Sequence, residues 1–323
     1  MHKGAIRTYV RHDFDARESA RRPRSKIMGT IKEGRVLMSE VTQELLGKDY
    51  RYVTSRYGFG LSLDGPAQLE EVVARYRKAL RYLYVHAHTK GGPRQKECLD
   101  FGLLTPLSEL QGLSAGYMLD SRNASAIEHL SKLDSLSLAW KVDEPVNLQK
   151  LERLQDLAIF ASPHLESVWK LGSLRILAVR YYRDSDLAVA SRLDSVEKLS
   201  IGESKTFASL RGINELRKLH FLGLYGNNNL LNLASISEAP SLEYVVIEGC
   251  SRLECIGDVT ELPSLKYLEV RDCPRLASVD AFPPHPHLTH VFFMGRTRPN
   301  RPIEEIVAAL PNLKYYFCSG GSP

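Results

Sequence analysis

The stretch LEYVVIEGCSRLECIGDVTELPSLKYLEVRDCPRLASV, residues 242–279, carries one pattern twice. Leu242, Val245 and Ile247 are matched 23 positions later by Leu265, Leu268 and Val270. The ninth place of each copy is a cysteine, Cys250 and then Cys273, and apolar residues follow at every third position: Leu253, Ile256, Val259 and then Leu276, Val279, Phe282. The first part of the unit alternates like a strand. The second part has period three, which suits a 3₁₀ or extended segment, because an α-helical stripe would run i, i+3, i+4, i+7.

Outward from this stretch the unit recurs as LDSLSL (Leu133–Leu138), LQDLAI (Leu154–Ile159), LRILAV (Leu174–Val179), VEKLSI (Val196–Ile201), LHFLGL (Leu219–Leu224) and LTHVFF (Leu288–Phe293). Looser copies begin at Leu80, Leu110 and Leu313, and successive copies start 30, 23, 21, 20, 22, 23, 23, 23, 23 and 25 residues apart. A second marker agrees: Pro240, Pro263, Pro286 and Pro311 each precede a copy by two residues. Proline has no N–H to donate and a fixed φ, so it fits the corner before a strand ladder begins.

Residues 80–318 resemble the leucine-rich repeat family, whose units are about 20 to 29 residues long with one short strand each. The Cys-containing copies are similar to those of plant disease-resistance receptors and bacterial leucine-rich-repeat proteins. No GxxxxGK[ST] loop accompanies them. The resemblance implies an α/β fold, a leucine-rich-repeat solenoid: a curved right-handed coil with a parallel sheet on its concave face and a convex side of short 3₁₀ turns. It also implies that Asn227, Cys250 and Cys273 bond to backbone groups of the turn and stack as a ladder between coils. A metal site or redox pair at Cys250 and Cys273 is the alternative, disfavoured because the thiols should point inward. If the source is bacterial, the resemblance suggests an immunity protein or a host-directed effector.

Upstream, PAQLEEVVARYRKA (residues 66–79) places Leu69, Val72, Val73 and Tyr76 at helical spacing behind Asp64, Gly65 and Pro66. Residues 36–79 are expected to form an N-terminal cap over the open end of the solenoid, with SEVTQELLG a short helix ending at Gly47 and YRYVTSRYGFGLSL one or two strands. Residues 319–323 form a short tail.

The chain has 43 basic and 38 acidic residues, a net charge of +5, but residues 1–35 alone carry 10 Lys/Arg against 4 Asp/Glu. The pI therefore describes a basic N-terminal arm, and its cluster Arg17, Arg21, Arg22, Arg24 and Lys26 could meet nucleic acid or an acidic partner; a solvated tail is the simpler alternative. No apolar run approaches the roughly 18 residues of a membrane span, and no secretory h-region opens the sequence. With 5 cysteines, an odd number, a disulfide scaffold is not expected and a cytoplasmic location is.

No HExxH, CxxC or GxGxxG signature occurs, and no enzymatic activity and no cofactor are expected. His285, His287 and His290 lie within six residues and are a metal candidate on spacing alone; solvated corner histidines are the ordinary alternative. Cys318 is a weak candidate nucleophile, and an enzyme would need a pocket near Tyr84, His86 and His88.

In the strand motif, side chains at places three, five, seven and eight project from the core. On the C-terminal half of that face they are strongly aromatic: Phe221, Tyr225, Tyr244, Glu248, Tyr267, Glu269, Arg271, Phe292, Met294 and Tyr315, with Phe317 further out. The middle is small: Ser137, Ala158, Ala178, Ser200, Gly202 and Gly223. Exposed Tyr, Phe, Met and Arg in one patch match the composition of interface cores, although aromatic residues also favour strands for their own sake. The expectation is protein recognition on the concave face, centred on those ten residues, with Arg180, Tyr181 and Trp140 as outlying contacts. Nucleic-acid binding through residues 1–35 is the alternative.

Overall fold

The computed structural model describes residues 50–55, 58–86, 97–116, 119–139, 141–276, 279 and 282–319, all within one compact unit, Asp49–Pro323. The basic arm and the expected helix ending at Gly47 lie outside the described residues.

The strands are β1 (Tyr50–Ser55), β2 (Gly58–Asp64), β3 (Tyr82–His86), β4 (Glu97–Asp100), β5 (Gly112–Ala115), β6 (Leu119–Arg122), β7 (Ser135–Leu138), β8 (Asp156–Phe160), β9 (Ile176–Arg180), β10 (Lys198–Gly202), β11 (Phe221–Tyr225), β12 (Tyr244–Glu248), β13 (Tyr267–Arg271), β14 (His290–Met294) and β15 (Tyr315–Cys318). Thirteen of them form one sheet in the order β1-β2-β3-β5-β7-β8-β9-β10-β11-β12-β13-β14-β15, and β4 and β6 form a separate parallel pair. Every neighbouring pair in the large sheet is parallel except the β1–β2 hairpin. This is a leucine-rich-repeat solenoid, one strand per coil.

The register follows from the sequence. Tyr244 pairs with Tyr267, and Val245 with Leu268, so equivalent places of successive repeats stand side by side. Strands β8, β9, β12, β13 and β14 alternate between half-buried and buried residues. Behind the sheet, the period-three positions Leu230, Leu233, Ile236, Leu253, Ile256, Val259, Leu276, Val279 and Phe282 are all buried. Ile236 and Val259 lie in short 3₁₀ helices, Ile236–Glu238 and Gly257–Glu261, and Ile213–Glu215 is the equivalent turn of the preceding coil. Each buried Leu, Ile or Val contributes about 1.5–3 kcal/mol, and that recurring layer is the core.

Among the described residues two segments are α-helical. Helix α1 (Leu69–Tyr76) buries Leu69, Val72, Val73 and Tyr76, the four residues whose spacing predicts it. It starts three residues after Pro66, because Gly65 (φ 97°) and the turn at Pro66 precede it. Helix α2 (Ile303–Val307) replaces the 3₁₀ turn in the last coil, burying Ile303, Ile306 and Val307 at i, i+3, i+4, with Glu304 and Glu305 in its first turn.

The backbone ladder runs beyond the strands. The Glu197 N–H donates to Arg175 O (2.8 Å), His220 to Glu197 (3.0 Å), Glu243 to His220 (2.9 Å) and Lys266 to Glu243 (2.8 Å). At place eight the chain must swing inward sharply, and Tyr181, Glu203, Gly226, Gly249, Asp272 and Gly295 all have φ between 51° and 68°. Glycine enters that region without strain; Tyr181, Glu203 and Asp272 are held there by N–H bonds to the next coil at 2.8, 2.7 and 3.0 Å.

Candidate functional site

The inward turn delivers place nine to the interior. Asn227 is fully buried, its Nδ2 donating to Ile201 O (2.9 Å) and its Oδ1 accepting from the Ser204 N–H (3.3 Å). Cys250 Sγ donates to Leu224 O at 3.8 Å and Cys273 Sγ to Arg271 O at 3.4 Å, and both cysteines are free thiols. The neighbouring Cys273 thiol and burial push the Cys250 thiol well up from its ordinary value. Ser204 heads this ladder, and its hydroxyl donates to Tyr182 O at 2.6 Å.

On the open face of the sheet, equivalent places stack in register. Tyr244 and Tyr267 have ring centroids 6.3 Å apart, Tyr267 and His290 5.7 Å, and His290 and Tyr315 5.0 Å in a stacked arrangement. Phe292 sits 5.6 Å from Tyr267 and 6.1 Å from His290. Polar groups lock this row: the Tyr267 hydroxyl donates to Glu269 Oε2 (2.5 Å), and Arg271 donates to Glu269 Oε1 (2.7 Å) while reaching Met294 Sδ (3.8 Å). Burial, then the bond to Glu269, pushes the Tyr267 phenol up. Glu248 stands beside Arg271 in register on β12.

The ten expected residues thus share one face, but not equal access. Phe221 is buried at 8% exposure, against the expectation of an exposed aromatic; it stands in register between the long side chains of Lys198 and Tyr244. Tyr225 is half-buried, and burial pushes its phenol up to about 12, with Glu248 and Glu269 adding to the effect. Tyr244, Tyr267, Phe292 and Met294 are half-buried, whereas Tyr315 is 61% exposed. Access increases toward β15.

A second cluster forms on β8 and β9. The Arg180 guanidinium lies 5.2 Å from the Phe160 ring and 5.9 Å from that of Tyr181, the two rings meet edge-on at 4.9 Å, and Arg180 is paired with Glu203. Phe160 was not singled out in the sequence, although its place-seven position on β8 carried the signal. Trp140 lies outside the described residues.

The histidines do not converge. His285 is buried rather than solvated, its Nε2 2.5 Å from Leu262 O, because the corner after Phe282 turns it into the core. His287 is exposed, and His290 lies in the aromatic row. Cys318 is half-buried, and burial pushes its thiol up, away from the thiolate a nucleophile needs. Tyr84 is half-buried; the His86 side chain and His88 lie outside the described residues. A groove of about 930 Å³ runs among the 3₁₀ segments, lined by His164, Trp169, Tyr182, Arg183 and Arg192, away from the aromatic row. Among the described residues no helix is long and apolar enough to cross a membrane.

The fold and this face define the class: a leucine-rich-repeat solenoid with an aromatic open surface. No family model and no curated protein matches the chain. Solved structures of similar fold include an internalin, inlF, from Listeria monocytogenes (16% identity, 80% of this chain and 92% of that one, TM-score 0.48). The leucine-rich repeat domain of the type III effector XCV3220 (XopL) matches at 18% identity over 91% of this chain and 85% of its own, with a TM-score of 0.41. The functional domain of InlJ from Listeria monocytogenes, which includes a cysteine ladder, matches at 14% identity over 72% and 57%, with a TM-score of 0.38.

Proposed function

We propose that the chain is a non-enzymatic protein-binding module whose partner docks on the open face over β12 to β15. The observation that carries this reading is the unbroken row Tyr244, Tyr267, His290 and Tyr315, whose rings follow one another at 5.0 to 6.3 Å across four strands. Large rings with few rotatable bonds lose little entropy on binding, and aromatic and Arg side chains dominate the energetics of interfaces. The Tyr267–Glu269–Arg271 network holds the centre of the row in one arrangement before a partner arrives, which lowers the cost of association. Glu248 and Arg271 at its side supply polar selection.

The test is capture from native lysate with wild type and with a Tyr244→Ala, Tyr267→Ala, Phe292→Ala variant whose fold is checked by circular dichroism. The captured protein is then purified and titrated calorimetrically against both. Loss of binding in the folded variant supports the face; an unchanged affinity overturns it.

A further inference from the structure

The repeat that opens at Leu154 is the shortest of the series, 20 residues against 22 for its successor at Leu174. Strands β8 and β9 nonetheless pair place for place, so the difference in length is taken up on the convex side. It falls between the 3₁₀ segment Pro163–Lys170 and residues 182–192 of the next coil, and the groove of about 930 Å³ lies there.

Each wall of the groove is fastened from its outer side. The His164 carbonyl accepts from the Val146 N–H (2.9 Å), and the Ser167 hydroxyl donates to Val146 O (2.9 Å) and accepts from the Leu148 N–H (3.0 Å), all bonds to the preceding coil. On the other wall the Thr206 hydroxyl donates to Arg183 O (2.7 Å), the Ala208 N–H to Ser185 O (2.9 Å) and the Leu187 N–H to Arg211 O (2.8 Å), all bonds to the following coil. Among the described residues no hydrogen bond or ion pair joins 163–170 to 182–192, and Trp169 meets Tyr182 edge-on across the seam at 5.6 Å. The seam is a cleft between two walls held in place without a ligand, which lowers the cost of binding one.

Its lining combines an apolar floor with unpaired cations. The buried side chains of Ile159, Val168 and Val179 form the floor, and the Trp169 indole stands half-buried at the side. Lys170, Arg183 and Arg192 line the cleft from exposed positions, and among the described residues none of them is in an ion pair, whereas Arg122, Lys150 and Arg211 on other coils pair with Asp100, Glu128 and Asp186. Glu166 and Asp184 also line it; three cations against two carboxylates leave one positive charge in excess, which suits a small monoanion and disfavours a polyanionic strand. A flat apolar body packs well against an indole, and a guanidinium with free donors holds a carboxylate through two parallel bonds.

We propose that this cleft binds a small aromatic carboxylate, its ring beside Trp169 and its anionic group on Arg183 and Arg192. The volume is in the range of small-molecule sites, about 300–1,000 Å³. The cleft lies away from the aromatic row, so this site and the protein-binding face are tested separately.

Naphthoate is the probe. The indole N–H signals of Trp140 and Trp169, the two tryptophans of the chain, are followed by nitrogen–proton NMR on the full chain, with Trp140→Phe to tell them apart. The Trp169 signal should shift saturably with naphthoate. Naphthamide, the same ring system without the charge, should bind at least about tenfold more weakly, and a variant with Arg183→Gln and Arg192→Gln, both at exposed positions and its fold checked by circular dichroism, should weaken naphthoate by about the same factor. A Trp169 signal that stays in place or moves without saturating, equal affinity for naphthamide, or naphthoate binding undiminished in the folded double variant would each overturn the proposal.

Discussion

Tyr225 lays its ring across Gly223, two residues earlier on the same strand: a methyl group at Gly223 would stand 2.6 Å from Tyr225 Cε2 and 2.8 Å from its hydroxyl oxygen. The bare glycine and the bulky tyrosine are therefore one feature, a ring lying flat in a gap that any side chain would fill.

Gly223→Ala should lift that ring into solvent, costing about 1–3 kcal/mol as an overpacked site does. The phenol, pushed up to about 12 mainly by burial, should fall back toward its ordinary value, read by ultraviolet absorbance titration against Tyr225→Phe. Because the folded value lies above the unfolded one, wild type should lose stability as pH rises from about 10 to about 12, and Tyr225→Phe should flatten that loss.

Gly212 has φ +93°, and a Cβ there would meet backbone atoms of Leu187 and Ala188 at 2.8 to 2.9 Å. Backbone cannot swing aside as a side chain can, so Gly212→Ala should destabilise by about 3 kcal/mol. Gly172, with open space around it, is the control: Gly172→Ala should change thermal stability by less than about 0.5 kcal/mol.

Asn227 satisfies two backbone groups of neighbouring turns from a fully buried position. Asn227→Ala leaves both without a partner and should cost about 2–3 kcal/mol. Asn227→Cys copies the next two rungs and should lose less than half of that. Equal losses in thermal denaturation would remove the ladder's hydrogen bonds as the cause.

Asp100 accepts from Asn123 Nδ2 (2.8 Å), the Gly102 N–H (2.9 Å) and Arg122 Nε (2.9 Å), and these bonds, Asn123 first, hold its carboxyl below the usual range. A depressed folded value means that its stabilisation is present above the unfolded carboxylate range and is lost as the medium is acidified through the folded value. Thermal midpoints should therefore fall on acidification, and Asp100→Asn should reduce the slope at the cost of a lower midpoint at neutral pH.

Most of the architecture was legible in one dimension. Leu242, Val245 and Ile247 against Leu265, Leu268 and Val270 fixed the register, and the period-three residues after Cys250 fixed the 3₁₀ turns behind the sheet, because each coil contacts chiefly its neighbours and a repeat unit must solve its packing locally. The last coil departs from that rule at α2, where the apolar spacing 303, 306, 307 is helical; the difference was present in the letters but outweighed by the repeat.

The face of each residue was also set by the sequence, since alternation in a strand assigns Tyr244, Tyr267 and Tyr315 to one side whatever surrounds them. How far each protrudes was not. Phe221 and Tyr315 occupy the same place three, yet one is buried and the other 61% exposed. His285 reads as a corner residue and lies in the core. Periodicity specifies direction, whereas exposure depends on what packs against a side chain: at Tyr225 a bare glycine on its own strand, at Phe221 the long side chains of Lys198 and Tyr244 beside it in register, and at Tyr315 a neighbouring described strand on one side only. Those are contacts between residues more than twenty positions apart or between unlike neighbours, and only the assembled tertiary structure decides them.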